Sequence, residues 1–170
     1  MSVSTDKYVN NRAELLANLF LTRRRGVRVL SLADTQDSGL DLLVRLPASL
    51  PEEDAEQFEP SFGVQIKGTN ESLEDEALAT KYANEQWRRR DPKPLFLAPV
   101  LILLFSMEGD HGFYSWLMQP KVGKEGPILA RVSPLQMKKL TKKAVENLFD
   151  EVEEWFVAMT EMLLDHAVTK

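Results

Sequence analysis

The residues whose types and spacing could do chemistry fall in two short stretches of extended chain. In SFGVQIKGT, residues 61–69, Gln65 and Lys67 stand two apart among Val64 and Ile66. Strand side chains alternate between faces, so Gln65 and Lys67 share one face while Val64 and Ile66 share the other. Upstream, GLDLLVRL sets Leu40, Leu42, Val44 and Leu46 on one face of an expected strand and Asp41, Leu43 and Arg45 on the other. If the two strands are neighbours, Asp41 lies close to Gln65 and Lys67. The polar face is then either plain solvated surface or a site. A carboxylate among apolar strand residues is costly to bury unless a hydrogen-bond donor or a cation meets it. An Asp41–Lys67 ion pair meets that need, and a partly exposed pair of this kind contributes little. A metal ion meets it too.

The elements that must position these residues follow from hydrophobic periodicity. A helix is expected over 10–24, with Leu15, Leu16, Leu19 and Phe20 as its apolar stripe, Arg23–Arg25 in its last turn and Gly26 ending it. Strands are expected over 27–33, 40–46 and 62–68, the last two separated by an acidic loop, 47–60, bounded by prolines. A helix over 72–90 takes Ser72 as its N-cap, carries Glu74, Asp75 and Glu76 in its first turn, and presents Leu73, Ala77, Leu78, Tyr82 and Trp87 as its less polar positions. Asp91-Pro92 stops it. The run LFLAPVLILLF, 95–105, is continuously apolar, the mark of a central strand covered on both faces, and Pro99 confines its paired part to 100–105. EGDHG reads as a hairpin turn leading to a strand over 113–118, in which Tyr114 and Trp116 are packing residues of an outer strand. Ser133-Pro134 is expected to open a C-terminal helix reaching about residue 168, with apolar residues from Leu135 to Leu163 at threes and fours. Trp155 and Phe156 in its stripe are read first as core packing, and next as a homodimer or partner-protein interface. The order implies an α/β fold: a three-layer α/β/α core with a mixed central sheet, in one domain over 1–170, with the core at 10–120 and a C-terminal helical segment at 133–170.

The totals narrow the function classes. The chain has 170 residues, a net charge of −5 and no cysteine. Disulfides, Cys-zinc sites and thiol catalysis are excluded. The acidic balance argues against a non-specific polyanion binder, although charge is segregated into local basic runs, Arg23–Arg25 and Arg88–Arg90. Each run reads as a favourable helix end or solvated face, or as phosphate contacts that position a duplex without reading bases. The polar start MSVSTDKYVNNRAE is no secretory signal, and the apolar run at 95–105 is too short to cross a bilayer. The expectation is a cytoplasmic protein with no membrane contact. VGKEGP lacks the surroundings of a phosphate-binding P-loop, and His111 and His166 offer no metal-ligand spacing.

Taken together, an acid on the first helix, a G-x-D at a strand start and an x-Q-x-K strand resemble the PD-(D/E)XK nuclease superfamily, the restriction-endonuclease-like fold. More narrowly, the chain resembles a prokaryotic domain of unknown function within it. The matching pieces are Asp37-Ser38-Gly39-Leu40-Asp41, Gly63-Val64-Gln65-Ile66-Lys67-Gly68-Thr69, Pro99-Val100-Leu101-Ile102-Leu103 and Tyr114-Ser115-Trp116. The resemblance implies metal-dependent phosphodiester hydrolysis of nucleic acid, DNA in the first instance, in a setting such as defence against foreign DNA. It implies Asp41 as the principal metal ligand, with Gln65 offering a carboxamide oxygen where the superfamily usually has Asp or Glu. Glu14 would be the helix-one acid that contacts the metal or its water. Lys67 would hold the scissile phosphate and the attacking water, and Thr69, Arg23 and Arg88 would contact substrate phosphates. The implied cofactor is Mg²⁺ or Mn²⁺ at low affinity, because Gln65 brings no negative charge. The alternative on the same fold is a non-catalytic binding or assembly protein recognising nucleic acid or a protein partner, and a third reading is an adaptor whose acidic surface mimics DNA.

Overall fold

Alternation of side chains at 42–46, 61–69 and 111–118 and the helical periods on either side build ten elements among the described residues. The computed structural model describes residues 2–32, 39–48, 59–87 and 98–168. The order is α1 (Ser2–Leu21), β1 (Arg28–Ser31), β2 (Leu42–Arg45), β3 (Ser61–Thr69), α2 (Glu76–Trp87), β4 (Val100–Ser106), β5 (His111–Gly123), β6 (Gly126–Arg131), β7 (Lys138–Lys139) and α3 (Lys142–Val168). The strands lie side by side as β1-β2-β3-β4-β5-β6, with β7 paired to β5. β1, β2 and β3 form an antiparallel meander, β3 and β4 are parallel, and the remaining pairs are antiparallel. A parallel neighbour cannot be reached through a tight hairpin, and the chain between β3 and β4 carries α2.

The apolar residues divide into two clusters, one on each face of the sheet. Ala13, Ala17 and Leu21 of α1 and Val145, Leu148, Phe149 and Val152 of α3 pack with Val44, Phe62, Val64, Leu103 and Phe105. Ala79 and Ala83 of α2 pack with Leu40, Ile102, Leu104 and Phe113. The mixed sheet therefore has α1 and α3 on one face and α2 on the other, as the sequence implied. All seven residues of β4 are buried, which is what its unbroken apolar run demands. Pairing of β4 with β3 begins at Val100, and the Pro99 carbonyl accepts from Gly63 N–H at 2.9 Å.

Several expectations are corrected. α1 begins at Ser2 rather than residue 10, and its buried stripe is Val9, Ala13, Ala17 and Leu21, while Leu15 and Leu19 are 67% and 65% exposed. Small residues win the buried positions because the helix lies close on the sheet: a Cβ at Gly68 would stand 2.7 Å from Val9 Cγ1 and 2.8 Å from the Val9 carbonyl oxygen. The cap of α2 is Asp75, whose Oδ1 accepts from Leu78 N–H at 2.8 Å, rather than Ser72. α3 begins at Lys142, capped by Thr141, whose hydroxyl oxygen accepts from Ala144 N–H at 3.1 Å, and not at Pro134. Strands β6 and β7 were not anticipated; β7 pairs with Phe113 and Tyr114 and β6 with residues 118–123, so β5, which carries Tyr114 and Trp116, is not an outer strand. Leu40 packs with the α2 cluster while Leu42, Val44 and Leu46 pack with the α1–α3 cluster, because the chain bends at Asp41 before β2 begins.

The segment before α3 is held by α2 through a spacing match. Glu76 Oε1 accepts from Lys139 N–H at 2.8 Å, Thr80 Oγ1 from Met137 N–H at 3.0 Å, and Asn84 Oδ1 from Leu135 N–H at 2.9 Å, while Asn84 Nδ2 donates to the Leu135 carbonyl at 2.9 Å. Four residues of helix rise about 6 Å and two residues of extended chain span about 6.6 Å, so side chains at every fourth helical position meet every second strand amide. This latch fixes where α2 lies above the sheet. Among the described residues no helix is long and apolar enough to cross a membrane.

Candidate functional site

The site is built where β2 leaves β3. Their pairing ends at Leu42 opposite Val64, and residues 65–69 of β3 run on beyond it. Asp41, one residue before β2, bridges the gap. Its N–H donates to the Val64 carbonyl at 2.8 Å, and its own carbonyl accepts from Leu32 N–H at 2.8 Å. Its carboxylate Oδ2 accepts from Ile66 N–H at 2.6 Å. An exposed side-chain oxygen thus stands where the next carbonyl of β2 would have been. The distance is that of a charge-assisted bond, and it brings the Asp41 carboxylate to the main chain midway between Gln65 and Lys67.

Gln65 closes the reciprocal contact. Its Nε2 donates to the Gly39 carbonyl at 2.8 Å, and its Oε1 accepts from the Trp87 indole N–H at 3.0 Å. The orientation of the amide is settled by chemistry: a carbonyl only accepts and an indole N–H only donates. Segment 39–41 and segment 64–66 therefore clamp one another, Asp41 through its carboxylate and Gln65 through its carboxamide. Gln65 is buried, 7% exposed. A glutamate there would set a second acceptor against the Gly39 carbonyl. That requirement gives a local reason for an amide rather than an acid at this position.

Lys67, on the same face as Gln65, is half-buried and donates from Nζ to Gln86 Oε1 at 3.0 Å. It also lines an open cavity of about 310 Å³ with Asn10, Gly68, Thr69, Asn70 and Tyr82. Thr69 is buried, and its Oγ1 accepts from Glu71 N–H at 3.1 Å, which turns the chain out of β3. Asp41, Gln65, Lys67 and Thr69 thus lie along one stretch of β3.

The other expected site residues lie elsewhere. Glu14 accepts from the Ser31 hydroxyl at 3.3 Å, beside β1 on the α1 face of the sheet. Ser31 precedes Leu32, the residue that donates to the Asp41 carbonyl, so Glu14 is near the β1–β2 edge rather than beside Lys67. The Arg23 guanidinium stacks over the Phe20 ring at 4.5 Å. Arg24 meets Glu153 at 2.8 Å, with Asp150 and Glu146 at 3.8 and 3.9 Å, and so ties α1 to α3. Both arginines are on the face opposite Gln65 and Lys67. Arg88 and Asp37 lie outside the described residues. Trp87 and Gln86, which hold Gln65 and Lys67, were missed as partners; α2 reaches β3 only through the fold, and nothing local in the sequence announces it.

The donors here are oxygens: the exposed Asp41 carboxylate and the Gln65 carboxamide, whose oxygen has a second lone pair beyond the one facing Trp87. Among the described residues no group of three His, Cys, Asp or Glu side chains is arranged to hold a metal. A set so poor in charge does not suit zinc. Mg²⁺ or Mn²⁺ can be held by one carboxylate with waters and substrate phosphate completing its shell, and Asp41 would be that carboxylate here. Comparison of the chain with protein-family models, with curated proteins and with solved structures found no match.

Proposed function

We propose that the chain is a metal-dependent phosphodiesterase acting on nucleic acid, a DNA endonuclease of restriction-endonuclease-like architecture, with Asp41, Gln65 and Lys67 as its centre. The observation that carries this reading is the Asp41 carboxylate reaching the main chain between Gln65 and Lys67 where β2 departs. The element order supports it: helix, three-stranded meander, helix, then a strand parallel to β3. A divalent cation held by Asp41, with the Gln65 oxygen as auxiliary donor, would polarise the phosphoryl oxygen and supply a bound water of lowered pKa. Lys67 offers a compact positive charge to a non-bridging phosphate oxygen, where negative charge grows as water attacks. Gln86 orients that ammonium from the side. Gln65 and the Gly39 carbonyl hold the Asp41 segment in place, so the carboxylate need not reorganise when substrate arrives.

The test is cleavage of plasmid and of single-stranded DNA in Mg²⁺ or Mn²⁺, compared with EDTA. The wild type should cut, and Lys67→Ala and Asp41→Ala should each lose at least about a hundredfold in rate. No cutting of DNA or RNA by a well-folded wild type overturns the proposal. A second reading, a nuclease-fold protein that binds without cutting, is favoured by one observation: both ends of the Gln65 amide are already engaged by the protein. Tight nucleic-acid binding with no cleavage in either metal would establish it.

A further inference from the structure

The cavity beside Lys67 is not needed to explain the fold, and its lining is mixed in a specific way. Asn10 and Asn70 are exposed carboxamides, each with donors and acceptors. Tyr82 contributes an aromatic ring from α2, itself backed by the apolar cluster on that face. Lys67 supplies the cation and Thr69 a hydroxyl. The walls are set by packing: α1 reaches Asn10 into place only because residue 68 has no side chain to hold the helix off. At about 310 Å³ the space lies at the lower end of small-molecule sites. It has room for one nucleotide and none for a duplex.

We infer that this cavity receives the nucleotide adjoining the phosphate at Lys67, with its base unstacked against Tyr82 and its edge met by Asn10 and Asn70. The inference rests on the hydrolytic reading above and deepens it, because it selects the class of substrate. A phosphate held at Lys67 necessarily carries a nucleoside next to it, and the open cavity that Lys67 lines has an aromatic wall and amide groups. A base can enter only when it is free of its partner and of its stacked neighbours, as in single strands, frayed ends or flaps. Stacking on an aromatic side chain is tolerant of base identity, while the two amides supply hydrogen bonds. The substrate is accordingly single-stranded at the point of cutting.

The test is binding without turnover. A labelled single-stranded oligonucleotide and the duplex of the same sequence are titrated by fluorescence anisotropy in EDTA at fixed salt, with melting temperatures recorded in parallel. The single strand should bind at least about tenfold more tightly than the duplex. Tyr82→Ala should weaken the single strand by about fivefold to a hundredfold and leave the duplex within twofold. Asn10→Ala and Asn70→Ala, at exposed positions that do not hold the core, should each weaken the single strand alone. Equal binding of both forms overturns the inference, as does a natively melting Asn10→Ala/Asn70→Ala double variant that binds the single strand like wild type. A wild type that prefers single strands through these residues yet cuts nothing in Mg²⁺ or Mn²⁺ overturns the hydrolytic reading alone. A wild type that cuts duplex plasmid and is indifferent to Tyr82→Ala overturns this inference alone.

Discussion

Strands β3 and β4 are parallel neighbours paired over seven residues, and they have opposite characters. Gln65 lies beside Ile102 and Lys67 beside Leu104 in register. β4 is buried throughout and apolar up to Phe105, whereas β3 interrupts its apolar residues with an amide and an ammonium. The difference comes from their other neighbours. β4 is flanked by β5 along its length, while β3 loses β2 after Val64. Where lateral support ends, main-chain groups need side-chain partners, and polar residues can be held without being stranded in the core. A strand at the middle of a sheet can thus carry a site over the part where one neighbour has left.

Breaking the apolar strand should have the largest effect on stability. Phe105→Ala removes a fully buried ring, and the loss should be about 3–5 kcal/mol by chemical denaturation. A cost below about 1 kcal/mol would mean that β4 is not the structural centre it is taken to be. On β3, Asp41→Ala leaves the Ile66 N–H without its acceptor and should cost about 1–3 kcal/mol in addition to abolishing cleavage. Lys67→Ala should abolish cleavage while changing stability by less than about 1 kcal/mol, since its bond to Gln86 is partly exposed.

Gln65→Glu sharpens the comparison further. If the amide were only a weak metal ligand, introducing an acid would raise metal affinity and rate. The bond to the Gly39 carbonyl predicts a loss of about 1–3 kcal/mol at neutral pH instead, shrinking on acidification as the introduced carboxyl gains the proton it needs to donate. Matched melting curves at pH 5 and pH 8, with cleavage rates, decide between them. The smallest effect belongs to the other face. Burial pushes the Glu153 carboxyl above its usual range, against the lowering by Arg24. The folded state then binds the proton more readily than the unfolded chain, so stability is fullest below the unfolded pKa and declines as pH rises through the folded one. Glu153→Gln should flatten that decline, by less than about 1 kcal/mol, in denaturation midpoints measured from pH 4 to 7.

What could be read from the sequence was what local pattern controls. The continuous apolar run marked β4, the two-residue alternation placed Gln65 and Lys67 on one face, and the element order implied helices on both sides of a mixed sheet. Errors arose where tertiary packing overrode periodicity. Leu15 and Leu19 look like a buried stripe, yet close approach at Gly68 selects Ala13 and Ala17 instead. Leu135 and Leu140 fit a helical spacing, but both precede α3, and their N–H groups are taken up by the Asn84 side chain and the Gly112 carbonyl. The expected proximity of Asp41 and Gln65 is realised through backbone partners, Ile66 N–H and the Gly39 carbonyl, which no side-chain pattern could reveal. Trp87 and Gln86 lie some twenty residues from the groups they hold and meet them only after α2 is latched in place.

The 2.6 Å bond from Ile66 N–H to Asp41 has a further consequence. Anything that draws the carboxylate away, whether a cation, a proton or a substrate, must loosen its hold on that single amide. The exchange rate of the Ile66 amide proton with solvent deuterium is therefore a local gauge of occupancy at Asp41, readable in the intact protein while every amide paired between β3 and β4 stays silent.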